Sequence, residues 1–512
     1  MEQKDMSSSD STTTTTTTTT TTGEDATKSV RQNHTQPNQL SSAAQAAFPE
    51  RQSQSQSEQQ APKLTADGTT ASSSSSIEIN TRSDISLLYR VVRTLIRPLR
   101  PNLVRPGKPL PPGSPRLSAS KNRNGVAIVE SCFEGVWQYT FRPKSTCLSA
   151  SASTLASASS PTVSNRTSQT DPSPSSSSLS PCPNENGNPT SSNRGCSKHR
   201  IYYFNGGGFQ SPPSSQHWLF LSMLSKNLSQ QRTAAASSSS TTTSPSSSLS
   251  DAHQPQPKHQ GDNTLIPEMT LVSYPLAPNS PAEKSYPIMQ KWLSAVLHSA
   301  DTTHDKVTLM GDSSGGNIAL SLGFWAVENH HQAPQRSSSS PTSISTNPSF
   351  PLTSILAISP VVDLRNVNPS MASADKFDPV LTIPLTSRVA RAWASPPTTS
   401  RHLSEVADGP HPHPALVTNA QVSPLLNSDA AFQALASNRV RVHGIVGTHD
   451  VLAPDALLFM RKCERCGVAG RWLVWERQMH CFPLAAGKGV LGLWEARDAV
   501  DWIVGVLRAH EF

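Results

Sequence analysis

Gly311-Asp312-Ser313-Ser314-Gly315-Gly316 follows a short apolar run, Val307-Thr308-Leu309-Met310, and precedes a helix-like run from Asn317 to Val327. Strand, tight turn and helix are the setting in which G-x-S-x-G forms a nucleophile elbow. The sharp turn strains the serine backbone, so small residues must flank it. Gly311 and Gly315 supply that room, because a side chain at either would collide with the neighbouring strand or helix. Ser313 then stands at the top of a sheet. The N–H of Ser314 points towards the same space, near the positive end of the helix dipole. Other serine-rich stretches of the chain are Ser/Thr/Pro runs, not glycines locked between a strand and an apolar helix.

A serine hydroxyl is a weak nucleophile until a base takes its proton and a carboxylate orients that base. Downstream of such an elbow the acid and then the base follow the last strands. Gly447-Thr448-His449-Asp450 follows an apolar run at 441–446, and Met479-His480-Cys481-Phe482 follows one at 471–476. Asp450 is therefore the natural acid and His480 the natural base. Asp455, on the next helix, is a rival to Asp450, and Asp363 reads as structural. His449 precedes the acid and should point away from it. His443 lies within a strand, whereas His411 and His413 lie in a Pro/His-rich loop. Upstream, Arg200-Ile201-Tyr202-Tyr203-Phe204 ends in Asn205-Gly206-Gly207-Gly208-Phe209. Glycines between such apolar flanks let backbone N–H groups face a developing oxyanion without side-chain obstruction.

The remaining elements set this site in an alternating chain. Residues 126–133 and 136–141 alternate apolar and polar around Glu134-Gly135, as a hairpin does. Later strands at 200–204, 269–274, 307–310, 354–359, 441–446 and 471–476 alternate with helical stretches. The pattern predicts an α/β domain with a mainly parallel sheet. A basic amphipathic helix, capped by Ser83-Asp84 and ended by Pro98, is expected to gather Leu87, Leu88, Val91, Val92, Leu95 and Ile96 on one face. Two readings stay open for it: a lid over the site, or a helix lying on an anionic membrane surface. The stretch from Met371 to Ala394 also reads as helical.

Composition limits how much of the chain folds. Charged residues make up 15% and hydrophobic residues 35%, with 43 prolines and an unbroken threonine run from Thr12 to Thr22. Such stretches cannot bury enough apolar surface to offset their ordering entropy. Residues 1–82 read as a disordered tail, and 83–512 as one domain with a cap helix within 83–105. Low-complexity insertions interrupt it at 143–198, 229–263 and 331–351. The net charge of +7 comes without a dense Lys/Arg block, which gives nucleic-acid binding little support. The seven cysteines have no framework spacing, and Cys463-Glu-Arg-Cys466 is a lone C-x-x-C near a helix end. No secretory signal or bilayer-spanning run stands out, so a cytoplasmic location, with or without membrane association, is expected.

These motifs resemble those of the hormone-sensitive-lipase-like branch of the α/β-hydrolase esterases and lipases. Asn205-Gly-Gly-Gly-Phe209 is similar to H-G-G-G-F, Tyr274-Pro-Leu-Ala-Pro278 to Y-R-L-A-P, and 311–316 to G-D-S-A-G-G. Ser359-Pro360 with Asp363-Leu364, the 447–450 stretch and the 479–482 stretch resemble later landmarks in order. The resemblance covers about residues 84–142, 199–228, 264–330 and 352–512, and low-complexity insertions of this kind suggest a fungal source. It implies an α/β-hydrolase fold with a helical lid, and Ser313, Asp450 and His480 as catalytic residues. It further implies Gly207, Gly208 and Ser314 as oxyanion donors, supported by Asn205, Gly206, Gly311 and Gly315. The implied reaction is hydrolysis of lipophilic or short- to medium-chain esters without metal or organic cofactor. A formamidase-like amidase and a steryl-acetate deacetylase are alternatives with the same triad. A non-catalytic receptor on this fold, as in the plant gibberellin receptors, would lack the histidine. Asn205 stands where the family has histidine, so the anchoring of the glycine loop must differ, and Asn279 stands where it has glutamate, which removes a carboxylate from a nearby loop.

Overall fold

The computed structural model describes residues 76–100, 107–118, 122–123, 125–143, 197–238, 265–332, 350–394, 414–487 and 493–509. The threonine run, His411, His413 and most of the three expected insertions lie outside them. All described residues fall in the compact unit Ser72–Phe512.

The strands are β1 (Ile77–Arg82), β2 (Asn122–Arg123), β3 (Val126–Phe133), β4 (Val136–Pro143), β5 (Lys198–Phe204), β6 (Ile266–Val272), β7 (Lys306–Asp312), β8 (Leu352–Ile358), β9 (Arg441–Gly447) and β10 (Gly470–Trp475). They form one sheet in the order β1-β10-β9-β8-β7-β5-β6-β4-β3-β2. From β1 to β6 neighbouring strands run parallel, while β6–β4, β4–β3 and β3–β2 are antiparallel. The mainly parallel sheet with an antiparallel hairpin is the one that the alternation predicts.

Both faces of the sheet are buried, so its central strands are mostly apolar, and the polar residues they bury, such as His199, Thr308 and Ser354, hydrogen-bond one another across strands. On β5, Tyr202 and Phe204 enter one core while Ile201 and Tyr203 enter the other. On β10, Trp472 and Val474 face the first and Leu473 and Trp475 the second. Residues of α3 (Ala282–Thr303), α4 (Ser314–Gln332), α7 (Pro414–Val417), α8 (Asp429–Ser437) and α9 (Ala453–Arg465) cover the first face. Residues of α2 (Ser215–Ser238) and α10 (Trp494–Arg508) cover the second.

Several expectations are corrected. The tail does not extend to 82, because β1 pairs in parallel with β10 from Ile77 to Arg82. Strand β5 begins at Lys198, and α2 runs to Ser238, into the insertion expected from 229, so two insertion boundaries shift. Helix α1 (Leu87–Ile96) is capped by Ser86, whose hydroxyl accepts from Tyr89 N at 3.0 Å, not by Ser83 or Asp84. It buries Tyr89 and Val92, leaving Leu87, Leu88, Val91 and Leu95 exposed, because Tyr89 hydrogen-bonds the Arg477 carbonyl and sets the rotation of the helix. The stretch 371–394 is two helices, α5 (Met371–Asp375) and α6 (Ile383–Ala394). Pro379 has no N–H to continue the first. Asp378 Oδ1 turns the chain instead, accepting from Val380 N at 2.7 Å and Leu381 N at 2.9 Å.

Candidate active site

Ser313 sits between β7 and α4 with φ 53°, a left-handed conformation rare for a residue with a Cβ. The elbow closes on its glycines. A Cβ on Gly311 would lie 2.3 Å from Gly315 O, and one on Gly315 would lie 2.0 Å from Phe204 O. Ser313 N donates to Ile358 O at 2.8 Å, tying the turn to β8. Ser314 opens α4 and is fully buried, its hydroxyl 3.5 Å from Tyr274 Oη.

Asp450 and His480 meet as their positions after β9 and β10 require. His480 Nδ1 lies 2.8 Å from Asp450 Oδ2, and Leu452 N donates to Asp450 Oδ1 at 2.9 Å. Asp450 is fully buried and His480 is 9% exposed. Burial alone would lower the histidine pKa, but the Asp450 carboxylate outweighs it and holds the imidazole well above its usual value. The other ring nitrogen, Nε2, lies 3.3 Å from Cys481 Sγ. Among the described residues no hydrogen bond joins Ser313 Oγ to His480. Both side chains line one cavity, of about 500 Å³.

The expected rivals go elsewhere. Asp455 accepts from Asn368 Nδ2 at 2.8 Å, and Asp363 pairs with Arg365 at 2.6 Å. His449 contacts Arg93 and stacks on Phe377 with ring centroids 4.9 Å apart. Burial and the charges of Arg93 and Arg477 push its pKa down to about 4. His443 is buried in β9 and accepts from Arg471 N at 3.0 Å. Cys463 is buried in α9 and Cys466 caps its end.

Gly206, Gly207 and Gly208 line the same cavity. Asn205 anchors their loop, its Nδ2 donating to Gly206 O at 2.6 Å and Ser211 O at 3.2 Å. Tyr274 Oη donates to Asn205 O at 3.0 Å. Behind the loop lies a polar cluster that the sequence reading did not single out. Buried Asp312 accepts from Gly206 N at 2.8 Å and Tyr203 Oη at 2.5 Å, and His217 Nε2 lies 3.3 Å from its carboxylate. Burial raises the Asp312 carboxyl, yet His217 and the hydrogen bonds from Tyr203 and Gly206 hold it below its ordinary range. One carboxylate next to Ser313 therefore fixes the glycine loop opposite it. The only hint in sequence was that Asp312 adjoins the serine and that His217 opens the helix after the glycines.

The cavity roof is apolar. Ile96 of α1, Val380, Leu381, and Leu385 and Val389 of α6 face Met479 and Leu484 across it. Phe209 stacks on Trp393 with centroids 4.4 Å apart, joining the glycine loop to α6. A second buried carboxylate, Asp378, spans roof and acid, because its Oδ2 accepts from Val451 N at 2.8 Å, one residue after Asp450. Its carboxyl is raised to about 6, first by burial and then by the Asp450 charge.

Residues 268–484 match a family model described as alpha/beta hydrolase fold. No curated protein matches the chain in sequence. Among solved structures, carboxyl esterase 2 from the mycorrhizal fungus Tuber melanosporum is 12% identical, with TM-score 0.49 over 83% of this chain and 99% of that one. A hormone-sensitive lipase from a metagenome library is 15% identical, with TM-score 0.48 over 85% and 100%. An esterase/lipase from an uncultured bacterium is 13% identical, with TM-score 0.47 over 83% and 99%. With its mostly parallel sheet, its flanking helices and the matched segment 268–484, the chain carries the α/β-hydrolase fold.

Proposed function

We propose that this protein is a serine hydrolase of carboxylic esters, acting through an acyl-enzyme on Ser313. The observation that carries the reading is the buried His480–Asp450 pair, 2.8 Å apart, whose His480 lines the cavity that Ser313 also lines. Ser313 Oγ attacks the ester carbonyl carbon as His480 Nε2 takes its proton, and Asp450 stabilises the imidazolium. The oxyanion of the tetrahedral intermediate is held by backbone N–H groups of Gly207, Gly208 and Ser314. Collapse breaks the bond to the alcohol, which leaves with the proton from His480. Water then repeats the sequence against the acyl-enzyme, releasing the acid and restoring the serine. Nε2 must leave Cys481 Sγ for Ser313 Oγ as substrate binds, a tightening common to such sites. The apolar roof favours lipophilic or short- to medium-chain acyl groups.

The test is hydrolysis of p-nitrophenyl butyrate by wild type, Ser313→Ala and His480→Ala. Wild-type turnover that falls by about 10⁶-fold in kcat in either variant supports the reading. A folded wild type that turns over no short ester overturns it, and turnover of formamides instead would make the protein an amidase with the same triad. Binding of a lipophilic ligand without turnover would favour the receptor reading.

A further inference from the structure

We propose that the outward face of α1, at the rim of the cavity, is a docking surface for an anionic phospholipid bilayer. Leu87, Leu88, Val91 and Leu95 are 76%, 51%, 48% and 67% exposed, and Leu99 in the following turn is 54% exposed. Leu87, Val91 and Leu95 recur every four residues and so form one stripe along the helix. Single exposed leucines need no explanation, but a contiguous apolar stripe marks a place where something docks.

Charge selects the partner. Residues 85–100 contain four arginines and no carboxylate. Arg90 and Arg97 are exposed beside the leucines, while Arg93 turns inward to His449 and Arg100 pairs with Asp375. Arg97 also donates to Lys376 O at 2.5 Å, which brings the exposed Lys376 and Phe377 alongside the helix. The nearest acids on these segments are engaged, Asp84 with Arg82 and Asp375 with Arg100. Leucines edged by cations that make no ion pair among the described residues are the composition of a helix that lies in a lipid headgroup layer. A second copy of the chain fits less well. A two-fold contact sets a patch against itself, and would bring these cations onto their own counterparts.

The same helix reaches the cavity through Ile96. A bilayer seated on the stripe therefore lies at the mouth of the cavity, where a lipophilic ester can enter from the membrane. That use rests on the ester-hydrolase reading, but the docking does not.

The experiment is co-sedimentation of the full chain with vesicles of phosphatidylcholine alone and of phosphatidylcholine with phosphatidylserine, at low and high salt. The expected result is binding to the anionic vesicles, weakened by salt. Leu88→Gln with Leu95→Gln should reduce it by on the order of tenfold or more, and Arg90→Gln by about fivefold. Hydrolysis of a soluble ester should be unchanged in these variants, since none of the three residues lines the cavity. Absence of sedimentation, or full binding by the leucine variant, overturns the proposal. A dimer in solution that the leucine variant dissociates also overturns it. Failure of vesicle binding with ester turnover intact removes the docking alone, whereas vesicle binding without turnover leaves it standing and removes the hydrolase.

Discussion

His480 is held by Asp450 on one nitrogen and meets Cys481 on the other, so its proton affinity is set within a few ångströms. Because the Asp450 charge raises the imidazole pKa, the neutral base form appears only above the ordinary histidine range. The rate of ester hydrolysis should therefore climb with pH through neutrality. In Asp450→Asn the raising cause is gone and burial remains, so the acid limb should move to lower pH while the plateau drops by about 10⁴-fold. A pH–kcat/KM profile of both proteins checks this, and an unmoved limb would assign it to another group. Asp378 gives a stability prediction of definite sign. Its carboxyl rises from an ordinary 3.8 to about 6, so the folded state binds the proton more tightly than the unfolded one. Its favourable contribution is full below about pH 4 and is lost as pH rises through about 6. Asp455, also raised to about 6, adds to the same slope. Denaturant midpoints of Asp378→Asn between pH 4 and 7 should show a shallower decline than wild type, alongside a loss of about 1–3 kcal/mol for the N–H left without an acceptor. Asp450 and His480 were legible in the sequence because each follows a recognisable strand. Asp378 and the Asp312–Tyr203–His217 cluster were not, since their partners come from distant segments that only the folded sheet brings together.

At the level of elements, β1 and α1 are where pattern and structure part. Ile77-Glu-Ile-Asn-Thr-Arg82 alternates like a strand but follows low-complexity sequence, and only Ile77 is buried. A half-buried period cannot announce an edge strand whose support is backbone pairing with β10. Arg82 supplies the side-chain support. It pairs with Asp84 and Asp498 and lies 4.1 Å over the Trp475 ring and 5.4 Å from that of Trp494. Arg82→Ala should lower stability by about 1–2 kcal/mol and shift the tryptophan emission. Equilibrium denaturation followed by fluorescence measures both, and an unchanged midpoint would mean that β1 is held by its backbone alone. In α1 the helix itself was legible from its spacing, but its rotation was not. Helical period fixes which residues share a face, and the contacts of Tyr89 with Arg477 and of Ser86 N with Glu495 decide which face turns inward.

On the scale of the whole molecule, the chain separates its candidate site from its insertions. Gly206–Gly208, Ser313, Asp450 and His480 each follow the last residue of a parallel strand, β5, β7, β9 and β10. The segments 144–196, 239–264 and 333–349 each lead into the first residues of one, β5, β6 and β8. Pro143 and Lys198 lie at the same end of the sheet on either side of β6, about 10 Å apart by strand spacing. Replacing 145–196 with a short Gly/Ser linker should leave ester turnover within about twofold and raise stability by about 1–2 kcal/mol, through the lower entropy of closing a shorter loop. Thermal unfolding and initial rates decide it, and a large loss of rate would give the insertion a part in the site. The alternation of strands and helices made the sheet readable, whereas no periodicity in the insertions says where they attach. That polarity has a practical side. A biotin-acceptor peptide spliced into 145–196 would tether the protein to a solid support by the rim opposite its cavity, leaving immobilised molecules with their entrances facing the flowing solution.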